Sequence, residues 1–455
     1  MKLTQTFTIM LLGKYFANER LNEYRLNSLQ IMKPYYITIL SLLFSSINLF
    51  AQQNQIKYHR QLNYPKSDFI AKFEWTSPPA TYPGTGSDMH WWTIAPDNSL
   101  YVLDDDGSNF NGPGNYAHLL RVTGVPPNHK VETITDFMEI PFRKMLPNPL
   151  IRRYVNGPIA IDSILYVSIY DYDWNLKRIE PYRDSIIQRT NLYMYNQNVK
   201  NPDLLENMYR ADSYSKHFGT AGIIKSADGG KTWTNIPNAD TPQFLGPKFG
   251  GLCFLNFGPG YTQIPKQLGN YVYALSNDVN WESGDNVFMA RVHKDSILQR
   301  SAWQFLSHLS ENNIPGWSGN EEESKPIFTD KGHVGHPTIS YNKALKRYIL
   351  GIFSDVIVHQ ENHSVANWKK SDQQTELQLY ESITPWGPWK VFYNETPFGG
   401  KGHTAYLPQI PNNWWSSNGL NASLMFSGDY TKGGGGYYSL MTQSFKLTLI
   451  KKGFR

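Results

Sequence analysis

Five times along this chain an apolar strand-like residue is followed five positions later by an aspartate: Tyr101/Asp106, Tyr166/Asp171, Tyr273/Asp278, Leu350/Asp355 and Leu424/Asp429. The aspartates lie 65, 107, 77 and 74 residues apart, the signature of one supersecondary unit repeated. Each sits at the end of a period-two run: LYVLDDD, LYVSIYD, YVYALSND, RYILGIFSD and ASLMFSGD. A preceding run opens near Asp88 (DMHWWTIAP), Tyr154 (YVNGPIAID), Gly250 (GGLCFLNFG), His333 (HVGHPTISYN) and His403 (HTAYLPQIP). Third runs read AHLLRV, GIIKS, VFMARV, LQLYES and YYSLMT, while fourth runs are less distinct. Gly, Pro and Asn punctuate the blocks, and long connections are expected at 172–217, 276–286, 354–375 and 429–436. The pattern predicts an all-β fold over residues 70–455, a five-bladed β-propeller of four-stranded antiparallel blades. Function is then sought at the central axis, where the repeats converge.

One local motif supports this architecture. Ser226-Ala227-Asp228-Gly229-Gly230-Lys231-Thr232-Trp233 fits the Asp-box pattern S-x-D-x-G-x-T-W, a strand–turn–strand element. Its aspartate is expected to satisfy turn amides, its glycines to supply positive φ, and its tryptophan to pack into the blade. The stretch Glu381–Trp389 reads as a degenerate counterpart. Such a box is structural and carries no chemistry.

Outside the repeats, Met32-Lys33 followed by a mostly apolar Tyr35–Phe50 and then Ala51 fits a secretory signal peptide over 32–51. Residues 1–31 precede that second Met-Lys start and read as a spurious extension; 52–69 read as a linker. The apolar stretch is shorter than the roughly 20 residues a spanning helix needs, so no membrane span is expected. A periplasmic or secreted, monomeric protein is the expectation. Cys253 is the lone cysteine, which excludes a disulfide framework and a cysteine metal site and predicts a core role. Aromatics reach 14% of residues, a density that suits stacking on sugar rings as well as sheet cores. The net charge of +5 is spread without a Lys/Arg cluster, so nucleic acid is not an expected partner.

Blade geometry brings the acids together. Strands alternate in direction, so the start of a first strand and the end of a second lie on one face. Asp88 and Asp106 should therefore be neighbours at one mouth of the channel, where Asp171, Asp173, Asp278, Glu282, Asp285, His333, His336 and His403 should also gather. Asp228 falls on the opposite face. Clustered carboxylates repel and raise one another's pKa, which suits glycoside hydrolysis, where one carboxyl is protonated and another ionised. Bound Ca²⁺ is the other explanation. The run Asp104–Asn109 superficially resembles a calcium loop but misses the EF-hand spacing, so no cofactor or metal is expected. Acids and glycines also make ordinary turns. Trp91 and Trp281 are candidate sugar platforms; His90, Asn156, Asp278, His336 and His403 are candidate substrate contacts, and Asp285 a third catalytic acid.

Several stretches carry a family likeness. GSDMHWWTIAPDNSLYVLDDDG, FLNFGPGY, YVYALSNDVNWESGDNVFMARVHKDSILQRSAWQFL, KPIFTDKG, ISYNKALKRYILGIF and YESITPWGPWKVFY occur in this order. They resemble, over roughly residues 70–445, a family of secreted five-bladed propeller domains long described as of unknown function. Some of its members are glycoside hydrolases that cleave D-arabinan. The resemblance implies Asp88 and Asp106 as the catalytic pair and a polysaccharide, D-arabinan-like or related, as substrate. Ser87 stands where the family often has Gly, and His90 with two tryptophans follows. A sialidase would need an arginine triad, for which Arg121, Arg153 and Arg291 are available. A lyase would use His and Tyr residues such as Tyr406, and a non-catalytic glycan-binding propeller would need no carboxylate pair.

Overall fold

The computed structural model describes residues 62–82, 87–105, 117–136, 151–173, 216–238, 241–278, 281, 284–357, 373–399, 405–428 and 439–451. The expected extension, signal peptide and first part of the linker lie outside these residues, as do Asp106, Glu282 and His403.

The described strands form five antiparallel sheets arranged as the blades of a propeller. The chain enters through β1 (Ile70–Trp75) and the two-residue β2 (Ala80–Thr81), both of which pair with the last strand. Blade one is β3 (Asp88–Ile94), β4 (Leu100–Asp105), β5 (His118–Thr123) and β6 (Lys130–Asp136). Blade two is β7 (Ile151–Ile161), β8 (Ile164–Asp173) and β9 (Lys216–Ser226), extended by a bridge between Lys225 and Thr234 across the Asp-box turn. Blade three runs β10 (Cys253–Phe254), β11 (Tyr271–Asn277), β12 (Gly284–His293), β13 (Gln304–Leu309) and β14 (Pro315–Ser318). Alongside β12 lies β15 (Phe328–Val334), which leads the chain into blade four. Blade four is β16 (Thr338–Asn342), β17 (Arg347–Ile357), β18 (Gln373–Ser382) and β19 (Lys390–Glu395). Blade five is β20 (Ala405–Gln409), β21 (Asn421–Gly428) and β22 (Ser439–Leu449), with β1 as its outer strand.

The first, second and third strands of all five repeats thus coincide with the runs the period-two pattern predicts. The closing strand was not among them. Ile70 partners Leu449 and Trp75 partners Phe445, so β1 completes, beside β22, the sheet that β20 and β21 begin. Residues 62–69, expected as linker, run along blade four: Ser67 donates its amide to Val391 O and Val391 donates to Pro65 O.

Separate buried clusters fill the seams between blades. Leu103, Leu119, Val155, Val167 and Ile224 join blades one and two. Ile94, Val102, Leu120, Met425 and Leu440 join blades five and one. Around the axis the inner strands approach closely: a Cβ on Gly157 of β7 would lie 2.9 Å from the Cα of Cys253 on β10. Only glycine tolerates that approach. Cys253 itself is buried, as expected, and burial pushes its thiol up to about 12. Among the described residues, no helix is long and apolar enough to cross a membrane.

Candidate active site

The site is built where first strands begin and second strands end. In blade one, Asp88 stands directly opposite Asp105 in the β3/β4 register. A bulge follows at once, between Asp88 and Trp91, with Met89 held at φ 53°. Residues opposed in an antiparallel pair project to the same side, with Cβ atoms about 4.5–5.5 Å apart. The register therefore gives Asp88 an acidic neighbour at Asp105, one residue before the aspartate expected from the repeat.

Both carboxylates are buried, Asp88 at 8% and Asp105 at 1% relative exposure, and both are held by neighbouring blades. Tyr406, on the first strand of blade five, donates its hydroxyl to Asp88 Oδ2 at 2.8 Å. Val155, on the first strand of blade two, donates its amide to Asp105 Oδ2 at 3.3 Å.

Behind this pair lies a second, fully buried network. Asp104 accepts from the Ser87 hydroxyl at 2.5 Å, from the His118 amide at 2.5 Å and from His118 Nδ1 at 2.9 Å. Burial pushes the Asp104 carboxyl up, opposed chiefly by the hydrogen bond and charge of His118. The Ser87 hydroxyl also lies 3.4 Å from His90 Nε2, and His90 Nδ1 shares a 2.9 Å hydrogen bond with Ser427 Oγ of blade five. Burial, with the His118 charge adding to it, drives His90 down to about 3 and keeps its ring neutral. Ser87 and Asp104 adjoin Asp88 and Asp105, so their bond fastens the ends of β3 and β4 where the acidic pair stands.

Aromatic side chains surround the pair. Trp281 is half-buried, with ring centroids 5.7 Å from Tyr406 and 5.9 Å from Phe353, and it packs against the stacked pair Tyr154–Tyr170. His336 donates its backbone amide to Trp281 O, and its ring meets Trp91 and Tyr170 edge-on. Asn156 and His336 both flank Gly251, where a Cβ would come within 2.9 Å of Asn156 Nδ2 and 2.8 Å of His336 Nδ1. Asn156 Oδ1 accepts the Gly157 amide, and among the described residues its buried Nδ2 meets no acceptor.

The structure thus gathers Asp88, Trp91, Asn156, Trp281 and His336 round the axis and treats the other candidates differently. Trp91 is wholly buried, so it cannot offer a face to a sugar; Trp281 is the tryptophan with exposed surface. His90 points away, into the seam between blades one and five. Asp278 caps the β11/β12 hairpin, accepting the amides of Asp285 and Asn286 at 2.7 and 3.0 Å and the Asn286 side chain at 2.8 Å. Burial raises its pKa, opposed by the Asn286 side chain and these amides. Asp285 accepts the Gly332 amide at 2.9 Å and so ties β12 to β15. Asp171 forms a buried two-pronged pair with Arg153 at 2.6 and 2.9 Å.

That pairing occupies one arginine of the sialidase alternative. Arg121 pairs with Asp97 on blade one, and Arg291 lies between Tyr271 and Trp317 on blade three. The three do not converge. Sequence reasoning missed His118, weighed Asp104 and Asp105 only within a calcium-like loop, and weighed Tyr406 only as a lyase residue. Alternation counted back from a known register would have found Asp105, but the bulge that sets this register leaves no mark in the sequence. Among the described residues no group of three or more His, Cys, Asp or Glu side chains is placed to hold a metal ion.

Residues 189–396 match a family described as "Domain of unknown function (DUF4185)". No curated protein matches the chain. Among solved structures it is similar to a GH43_1 enzyme from Xanthomonas citri at 12% identity and TM-score 0.40, covering 82% of this chain and 93% of that one. It is also similar to the α-L-arabinofuranosidase PaAbf62A from Podospora anserina, at 11% identity and TM-score 0.40 over 84% and 99%. A glycosyl hydrolase from Bacteroides ovatus gives 11% identity and TM-score 0.34 over 87% and 99%.

Proposed function

We propose that this chain, residues 189–396 of which match the DUF4185 family, is a glycoside hydrolase acting on a polysaccharide at the Asp88 mouth of its five-bladed propeller. The observation that supports this most is the opposition of Asp88 and Asp105 inside an aromatic surround. Two carboxyls in one poorly hydrated site cannot both ionise easily, so one keeps a proton that it can donate to a leaving glycosidic oxygen. The other, ionised, serves as base or nucleophile at the anomeric carbon. Asp88 is common to this geometry and to the pair implied by the family resemblance; its partner is Asp105 by register and Asp106 by resemblance. Trp281 is the platform for a sugar face, since its ring is backed by Tyr406 and Phe353 yet half-exposed. A furanoside such as D-arabinan is the proposed substrate class, and the expected setting is outside the cytoplasm.

The test is reducing-end release from a panel of arabinogalactan, plant arabinan and sulfated algal glycans. Wild type should release sugar from one of them, and Asp88→Asn should lose at least about a hundredfold in kcat, as removal of a catalytic acid or base does. Binding without release, unchanged in Asp88→Asn, would instead make the protein a glycan-binding propeller.

A further inference from the structure

Trp281 lies three residues after Asp278 and four before Asp285, in the connection between β11 and β12. The register between those strands runs to Asn277 opposite Val287, followed by a longer bond from the Asp278 amide to Asn286 O at 3.3 Å. There the start of β12 turns to β15 instead: Gly284 pairs with Val334 and Asn286 with Thr329. Strands that part in this way leave backbone amides in need of other acceptors. The Asp278 carboxylate supplies them. Its Oδ1 takes the amides of Asp285 and Asn286 at 2.7 and 3.0 Å, and its Oδ2 takes the Asn286 side chain at 2.8 Å. We propose that Asp278 is a positioning residue that sets where Trp281 stands at the mouth, and so governs how tightly a sugar ring is held rather than how fast its bond is broken. The kinetic consequence rests on the hydrolase reading; the placement of Trp281 does not.

The hold is braced from behind. Asn286 accepts the Thr329 hydroxyl at 2.8 Å and Asp285 accepts the Gly332 amide at 2.9 Å, so both residues bonded to Asp278 are themselves fixed to β15. The strands also come close at Gly284, where a Cβ would lie 2.9 Å from both Asp278 Oδ1 and Val334 O. Only glycine allows that approach. A short connection with both ends closed has few ways to run. At the axis the Trp281 ring meets Tyr406 and Phe353 at 5.7 and 5.9 Å, and its carbonyl accepts the His336 amide at 2.8 Å. Those contacts come from blades four and five, whereas Asp278 holds the backbone from blade three. The ring is thus placed from both sides, and a substitution at Asp278 alters one side while leaving the ring and the acidic pair unchanged in sequence.

The experiment is ¹⁹F NMR on the full chain labelled with 5-fluorotryptophan, with the Trp281 line assigned from Trp281→Phe. Asp278→Ala should displace or broaden that line, while the lines of the buried Trp303 and Trp389, assigned in the same way, stay in place. Asp278→Asn keeps an acceptor at Oδ1 and loses the bond at Oδ2, so it should displace the line less. In parallel, KM on the glycan that wild type cleaves should rise roughly three- to tenfold in Asp278→Ala, the size of one aromatic contact. Over the same comparison kcat should stay within about twofold. A Trp281 line unmoved in both variants overturns the proposal. Movement of all three lines together does so too, because it marks a general loosening of the fold, and so does a fall in kcat at unchanged KM. If Asp278→Ala does not fold, the Asp278→Asn line decides alone. A displaced Trp281 line without turnover on any glycan would uphold the positioning role and sink the hydrolase reading instead.

Discussion

His90 shows how far a residue's surroundings override its ordinary chemistry. Its ring is fully buried between blades one and five, with a folded pKa of about 3 against about 6.5 in an unfolded chain. Between those values only the unfolded chain binds the proton, so stability is complete above about pH 6.5 and is lost as pH falls toward 3, by up to about 1.4 kcal/mol per unit. The raised pKa of Asp104 acts in the opposite sense, adding stability at low pH that is lost as pH rises through its folded value. Comparing wild type with His90→Gln separates the two. Urea midpoints should fall less steeply with acid in the variant, and parallel pH slopes would show that His90 does not titrate this way. At this scale the sequence was only partly legible. Asp88 could be read because it opens a strand just after the Gly84-Thr85-Gly86 run. Asp105 rather than Asp106 as its registered partner depends on a bulge at Met89, and the fates of Asp171 and Asp278 depend on Arg153 and Asn286 reaching them through folded space.

Elements were read more faithfully than residues. Inner strands of each blade are covered on both faces or on one, and their apolar runs survive in sequence; β4, β11 and β21 are almost entirely buried. Outer strands lack such pressure. Every residue of β19 is half-buried, so no alternation betrays it, and the fourth strands stayed indistinct for that reason. The Asp-box was legible because its chemistry is local. Asp228 accepts the amides of Lys231 and Thr232 at 3.1 and 2.9 Å and the hydroxyls of Ser226 and Thr232, while Gly229 and Gly230 take φ 73° and 92°. Trp233 packs against the seam between blades one and two. Replacing Asp228 with Ala removes the acceptor that ties the turn together and should lower the urea midpoint. Because the turn is far from Asp88 in sheet order, glycan release should be unchanged; a matching loss of turnover would contradict the separation of the two faces.

For the whole molecule, ring closure rests on one short strand. Phe73 of β1 stacks on Tyr393 of blade four and Phe445 of blade five at 4.1 and 4.8 Å, so it pins two blades at once. Phe73→Ala should destabilise by about 3 kcal/mol or more, as loss of a buried aromatic does. Proteolysis should then begin within blade five; an unchanged melting temperature would show that the closure carries no weight. The pairing of Ile70 with Leu449 also imposes an order in time. While the chain is being made from its N-terminus, β1 waits for its partner, because the strand it requires is made after those of the other four blades. Until then blade five cannot exist, the Tyr406–Asp88 bond has no seam to span, and the inner mouth stays open. The inner mouth therefore closes only once Ser439–Leu449 has been made, and whatever handles the growing chain before then meets it open.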